Sequence, residues 1–185
     1  MSAPRPVELR RDCRATLVPS GQPAILTRGE EVFVIQELGG SFTVQVGRGL
    51  LARVDGADAD ALGLEGPVET PVQAEHPGGD GSFDPEQVLE RLRTVFDPEI
   101  PINVVDLGLV YRCESSPLGN GRHRVEIAMS MTAPGCGMGD VLREEARSKV
   151  ATLPGVGEVD VELVWDPPWD MSRMSEEARL ELGLW

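Results

Sequence analysis

Between Val32 and Val54 short apolar or alternating runs are separated by glycine pairs, the pattern of successive strands and turns. Val32 to Leu38 is β-branched and apolar, Gly39-Gly40 offers a tight turn, and Phe42, Val44 and Val46 then alternate with Thr43 and Gln45. That pattern predicts a β-hairpin. Gly47-Arg48-Gly49 turns the chain into a further strand at Leu50 to Val54, while Ala15 to Val18 and Ala24 to Thr27 supply two shorter strands. Residues 10 to 65 read as a small all-β barrel or sandwich with a short helical turn near Ala57 to Leu62.

The segment around 67–81 is rich in Pro, Gly and acid and has no apolar period, so it reads as a linker between a β-rich domain of residues 1–66 and a second domain of residues 82–185. In that second domain the period lengthens. Asp84-Pro85-Glu86-Gln87 combines a capping residue, proline at the first helical position and Gln at the capping-box position. Val88, Leu89, Leu92, Val95 and Phe96 then recur at helical spacing, which predicts a helix running to Asp97-Pro98. Leu107 to Glu114 and Arg124 to Met131 predict two strands joined by the turn cluster Pro117-Leu118-Gly119-Asn120-Gly121. A second helix carries Met138, Val141, Leu142, Ala146 and Val150 and stops at Pro154-Gly155. Val156 to Trp165 predicts a third strand, and Ser175-Glu176-Glu177 opens a last helix through Leu182. The whole reads as α+β, a small all-β domain followed by a compact α-β-β-α-β-α domain with helices on one face of a small sheet.

Charge narrows the partners. Seventeen Lys+Arg against 31 Asp+Glu give a formal net charge of -14, and no basic patch interrupts it. Nucleic-acid binding draws mainly on cation-phosphate contacts, so that class is excluded as an expectation. No apolar run approaches the roughly 18 residues of a membrane span, and the first residues lack an apolar signal core. The expected location is the cytoplasm, where the three cysteines, Cys13, Cys113 and Cys136, stay reduced. Walker, dinucleotide-binding and nucleophile-elbow motifs are all missing from the sequence, so no nucleotide cofactor is expected.

Cys136 has the most reactive setting. It lies between two glycines just before a helix, where free backbone N–H groups and the helix dipole favour a thiolate. A thiolate serves as metal ligand or as nucleophile, and the local sequence does not separate those roles. Cys113 falls on a strand, where its side chain either alternates into the core or adds a ligand, and Cys13 is open in the same way. Asp97-Pro98-Glu99 places two carboxylates around a rigid turn, either as solvated helix-terminating acids or as groups that hold a metal or position a partner. Trp165 and Trp169 frame a Trp-Asp-Pro-Pro-Trp loop that is either a packed lid or an exposed contact.

In combination, Asp97 to Tyr111 (DPEIPINVVDLGLVY), Met131-Thr132-Ala133-Pro134-Gly135-Cys136 and Leu153-Pro154-Gly155-Val156 resemble the PaaD/SufT family of iron-sulfur assembly domains over about residues 84 to 166. Cys13 to Gly21, Leu38 to Val44, the Trp165-to-Trp169 loop and Met174 to Ala178 look like its SufT branch. The resemblance implies a small α+β fold and a part in maturing iron-sulfur proteins through the SUF system, as a carrier or targeting adaptor without turnover. The family cysteine falls on Cys136 and its acidic turn on Asp97, Pro98 and Glu99. Implied partners are other assembly proteins and client apoproteins, and the implied cargo is a transient iron-sulfur cluster or iron. One cysteine does not supply the four thiolates of a stable cluster, so a homodimer, small thiols or a partner would complete the set. Two alternatives remain: an adaptor that recruits clients without touching cluster, and an enzyme with a Cys136 nucleophile.

Overall fold

The computed structural model describes residues 5–47, 49–65, 83–119, 121–133 and 137–184. The chain divides into two compact units, Met1–Pro71 with Pro98–Pro101, and Val72–Asp97 with Ile102–Trp185. The segment read as a linker lies outside the described residues, apart from the division just given. No described helix is long and apolar enough to cross a membrane.

In the first unit the alternating pattern becomes six strands, β1 (Arg5–Glu8), β2 (Cys13–Val18), β3 (Pro23–Leu26), β4 (Glu31–Leu38), β5 (Ser41–Val46) and β6 (Leu50–Asp55). All pair antiparallel in one sheet of order β1-β4-β5-β6-β2-β3. Alternation turns Cys13 and Ala15, Phe42 and Val44, and Ala52 and Val54 to one face, where they are buried together with Val32 and Leu9. A 3-10 turn at Gly56–Leu62 adds Ala59, Ala61 and Leu62 to that core. Arg11 reaches from beside β2 to Asp58 at 2.8 Å and Asp60 at 2.5 Å, which ties this turn to the sheet. Strand β1 was not expected: four residues, Arg-Pro-Val-Glu, are too few to display a period.

The second unit runs α1 (Pro85–Leu92), β7 (Val110–Pro117), β8 (His123–Met129), α2 (Gly139–Ala151), β9 (Val156–Leu163) and α3 (Glu176–Glu181). Asp84 caps α1 by accepting from the Glu86 amide at 2.9 Å. The helix is shorter than its apolar spacing suggested. It ends at Leu92, where Thr94 Oγ1 donates to the Arg91 carbonyl at 2.7 Å, and Val95 and Phe96 continue as extended chain, Phe96 bridging Asn103. Residues 95 and 96 kept the helical spacing because Val95 is buried without being helical.

The three strands form a sheet of order β7-β8-β9, with β7 and β8 antiparallel and β8 and β9 parallel. A parallel pair needs a crossover, and α2 supplies it. Val125, Ile127 and Met129 of the central strand are buried, and Val88 and Leu92 of α1 and Leu142, Ala146 and Val150 of α2 are buried with them, α2 packing on β9 and α1 on α2. The only lysine in the chain, Lys149, donates from α2 to the Thr94 carbonyl at 2.6 Å and ties α2 to the turn that follows α1.

Candidate functional site

The acidic turn is closed by backbone bonds. The Asp97 amide donates to the Ile102 carbonyl at 3.1 Å and the Val104 amide to the Val95 carbonyl at 2.9 Å, so residues 97 to 102 form a loop with fixed ends. Asp97 and Pro98 are buried and Glu99 is exposed, so the two acids of the motif have unlike surroundings.

A second turn follows at once. The Asn103 side chain accepts from the amides of Val105 at 3.1 Å and Asp106 at 2.9 Å and donates to the Asp106 carboxylate at 2.6 Å. This is an Asx turn, legible in hindsight from the Asn-x-x-Asp spacing and missed in the sequence. It delivers Leu107 and Leu109 into the core and starts β7.

Residues far along the chain then fasten this loop. Three successive carbonyls accept from the segment after β9: Asp106 from the Ser175 amide at 2.8 Å, Leu107 from Trp169 Nε1 at 2.8 Å, and Gly108 from Arg173 Nε at 3.4 Å. The Arg173 guanidinium also lies 3.7 Å from the centre of the Tyr111 ring. Residues 169–175 thus form a strap over the Asp106–Gly108 backbone. The two tryptophans part company here. Trp169 is partly buried and bonded, whereas Trp165 is 43% exposed. Trp169→Phe keeps the ring but leaves the buried Leu107 carbonyl without its donor, so it should lower unfolding free energy by about 1 kcal/mol, read as a lower urea midpoint at unchanged slope.

The cysteines also differ. Cys13 is buried on β2, and burial, followed by the nearby Asp58 charge, pushes its thiol up. Cys113 is partly buried on β7 opposite Ile127, and burial first, then Glu114, raises its thiol as well. Both are held in the protonated form, the poorer ligand and nucleophile. Cys136, with Pro134 and Gly135, lies outside the described residues.

Both sides of that triplet are described. Upstream, Met131 is buried and Ser130 donates its amide to the Leu109 carbonyl at 2.8 Å, which joins the end of β8 to the strapped loop. Downstream, Met138 and Gly139 are buried, and a Cβ at Gly139 would stand 3.1 Å from Leu163 Cδ1. The nearest described neighbours, Ala133 and Gly137, are exposed. Helix α2 begins at Gly139, three positions after Cys136, and its N-cap residue, Met138, makes no side-chain cap. Among the described residues no three His, Cys, Asp or Glu side chains converge as a metal site.

A family profile described as iron-sulfur cluster assembly protein matches residues 85–161. That span contains Asp97, Glu99, Cys113 and Cys136 but not Trp165, Trp169 or the strap. Over 98 residues the chain is 45% identical to the Fe-S protein maturation auxiliary factor of Porphyromonas gingivalis, covering 53% of this chain and 90% of that protein. It is 34% identical over 99 residues to the Fe-S protein maturation auxiliary factor YitW of Bacillus subtilis, covering 54% and 93%. It is likewise 34% identical over 90 residues to the Fe-S protein maturation auxiliary factor SufT of Staphylococcus aureus, covering 49% and 98%.

Proposed function

The chain belongs to the iron-sulfur cluster assembly family, and on that premise we propose that it accepts iron or the edge of an iron-sulfur cluster on the Cys136 thiolate and passes it to a client apoprotein. The metal is cargo, bound and released, and no turnover chemistry is required. The observation that carries this reading is the burial of two of the three cysteines set against the exposed residues that flank the sequence position of the third. Cys13 and Cys113 sit in strands with raised thiols, while the sequence position of Cys136 falls between two exposed residues, Ala133 and Gly137, just ahead of a helix whose N-cap residue, Met138, makes no side-chain cap. An uncapped helix start leaves N–H groups free to favour an anion.

A single thiolate grips iron weakly, and weak grip suits release. The remaining ligands come from a second subunit, a small thiol or the partner protein. Glu99 is the exposed group of a partner-docking turn that the buried Asp97 and Pro98 shape, and the carboxylates of this turn, ahead of the protonated Cys113, are the further candidate ligands. Trp165 supplies an exposed aromatic contact for the partner, and Trp169, four residues on, fastens its segment to the Leu107 carbonyl. The β-rich domain of residues 1–66, joined through the 67–81 linker, recruits clients or other assembly proteins in the cytoplasm.

Anaerobic reconstitution with ferrous iron, sulfide and a thiol reductant tests this. Wild-type protein should gain visible cluster absorbance and protein-bound iron, and Cys136→Ser should gain neither. Wild-type protein that takes up no iron overturns the carrier and leaves an adaptor that recruits without binding cluster. Turnover of a model electrophile after stoichiometric alkylation of Cys136 points instead to a thiol enzyme.

A further inference from the structure

Four strands form the sheet edges in the described residues: β1 and β3 in the larger sheet, β7 and β9 in the smaller. An open edge offers unpaired N–H and C=O groups to any extended chain, and proline is one of the devices that blunts it. Three of the four carry one, Pro6 in β1, Pro23 in β3 and Pro117 in β7. Strand β9, Val-Gly-Glu-Val-Asp-Val-Glu-Leu, is eight residues long and has none.

Its geometry says which groups are free. The Val164 amide donates to the Met129 carbonyl of β8 at 2.8 Å. Successive residues of a strand point their backbone groups to opposite sides, so Asp160 and Glu162 also face β8, whereas Val159, Val161 and Leu163 turn theirs to the open edge. A cleft of about 410 Å³ lies alongside, lined by Arg147 and Ala151 of α2, by Arg124 of β8 and by residues 156–160 of β9, Glu158 and Asp160 among them.

The charge of the strand selects the occupant. Glu158, Asp160 and Glu162 are exposed on the sheet face away from α2. The register sets Glu114 of β7 beside Glu126 of β8 and Glu126 beside Asp160, three carboxylates in a row across the sheet. Arg124 and Arg112 lie against β9's acids, at 3.8 Å from both Glu158 and Asp160 and at 2.9 Å from Glu162, so acids outnumber cations on this face. A second copy adding its own β9 would place like charges opposite one another, which destabilises a strand pair, whereas Arg or Lys at alternate positions would find opposite charges.

We propose that β9 is a docking edge for an extended segment of a partner protein that carries Arg or Lys at alternate positions, added to the sheet as a fourth strand. The inference rests on backbone and charge and stands apart from the cysteine chemistry. The test titrates full-length protein with a short capped peptide alternating arginine and valine and follows amide hydrogen exchange residue by residue.

The amides of Val159, Val161 and Leu163 should exchange freely at first and slow about tenfold or more when peptide is bound, while those of Asp160 and Glu162 are slow throughout. Asp160→Lys should weaken the peptide about tenfold, and Glu158→Lys serves as a second variant should the first melt early. A glutamate-valine peptide should not bind. Binding that leaves the three amides unprotected, an affinity indifferent to both charge reversals, or equal binding of the acidic peptide would each overturn the proposal. So would protection of those amides before any peptide is added, since that places a second copy on the edge.

Discussion

Cys136→Ser should reduce maturation of a client iron-sulfur enzyme to the background seen without the protein, while the melting temperature stays at the wild-type value. Serine has nearly the size of cysteine, so what changes is chemistry. The ligand form of cysteine is the thiolate, reached near neutral pH where free N–H groups or positive charge lower the thiol, and a serine hydroxyl does not ionise there. The same argument separates the other two cysteines. Burial holds Cys13 and Cys113 protonated at neutral pH, so Cys113→Ser, made at a partly buried strand position, should leave the maturation rate close to wild type. Activation of purified apo-client under anaerobic conditions reads both variants. A soluble, folded Cys136→Ser protein that matures client at the wild-type rate ends delivery through this sulfur, and loss of maturation in Cys113→Ser would move the ligand set onto β7.

Local signals carried much of the architecture into the sequence. Asp84-Pro85 announced the start of α1 through a cap that the structure realises, and Gly39-Gly40 announced the β4–β5 turn. The order α-β-β-α-β-α in the second unit follows from four changes of period, each marked by Pro or Gly. What escaped the reading is long-range. The end of α1 at Leu92 depends on Phe96 bridging Asn103, and the spacing of Val95 and Phe96 fits a helix as well as a buried turn. Parallel pairing of β8 with β9, and so the open edge of β9, is set by the crossover through α2 and has no signature within either strand.

The site was legible to an uneven degree. Flanking glycines make Cys136 a candidate on chemistry alone, at a position outside the described residues, and alternation on β2 and β7 allowed Cys13 and Cys113 the buried and partly buried places they take. Asp97 and Glu99 looked alike as letters, yet one is buried and the other exposed, a difference fixed by the loop bonds at Ile102 and Val104. Trp169 looked like a twin of Trp165 until its indole met the carbonyl of Leu107, 62 positions earlier. Contacts across that separation leave no periodic trace, which is why the strap itself was invisible beforehand.

Gly108→Ala should be the most damaging of the single methyl additions. Gly108 has φ +70°, which costs an L-residue about 1–2 kcal/mol. A Cβ there would also lie 2.1 Å from the Arg173 carbonyl oxygen, a backbone atom that does not rotate away. Either the strap lifts, loosening the donors from Ser175, Trp169 and Arg173, or the Asp106–Gly108 loop shifts and strains the start of β7. Adding about 1 kcal/mol for each of the three bonds weakened brings the expected loss to about 4–5 kcal/mol, equivalent to a fall of about 15–20 °C in Tm for a unit of this size. Gly119→Ala is the matched control. Its φ is +71° and nothing stands within 4 Å of the added carbon, so it bears the same backbone cost alone, about 1–2 kcal/mol. Equal losses in the two variants would show that the strap exerts no hold on the loop. An excess at Gly108, reproduced in the Trp169→Phe background as less than the sum of the two single losses, would show that glycine and tryptophan serve the same contact.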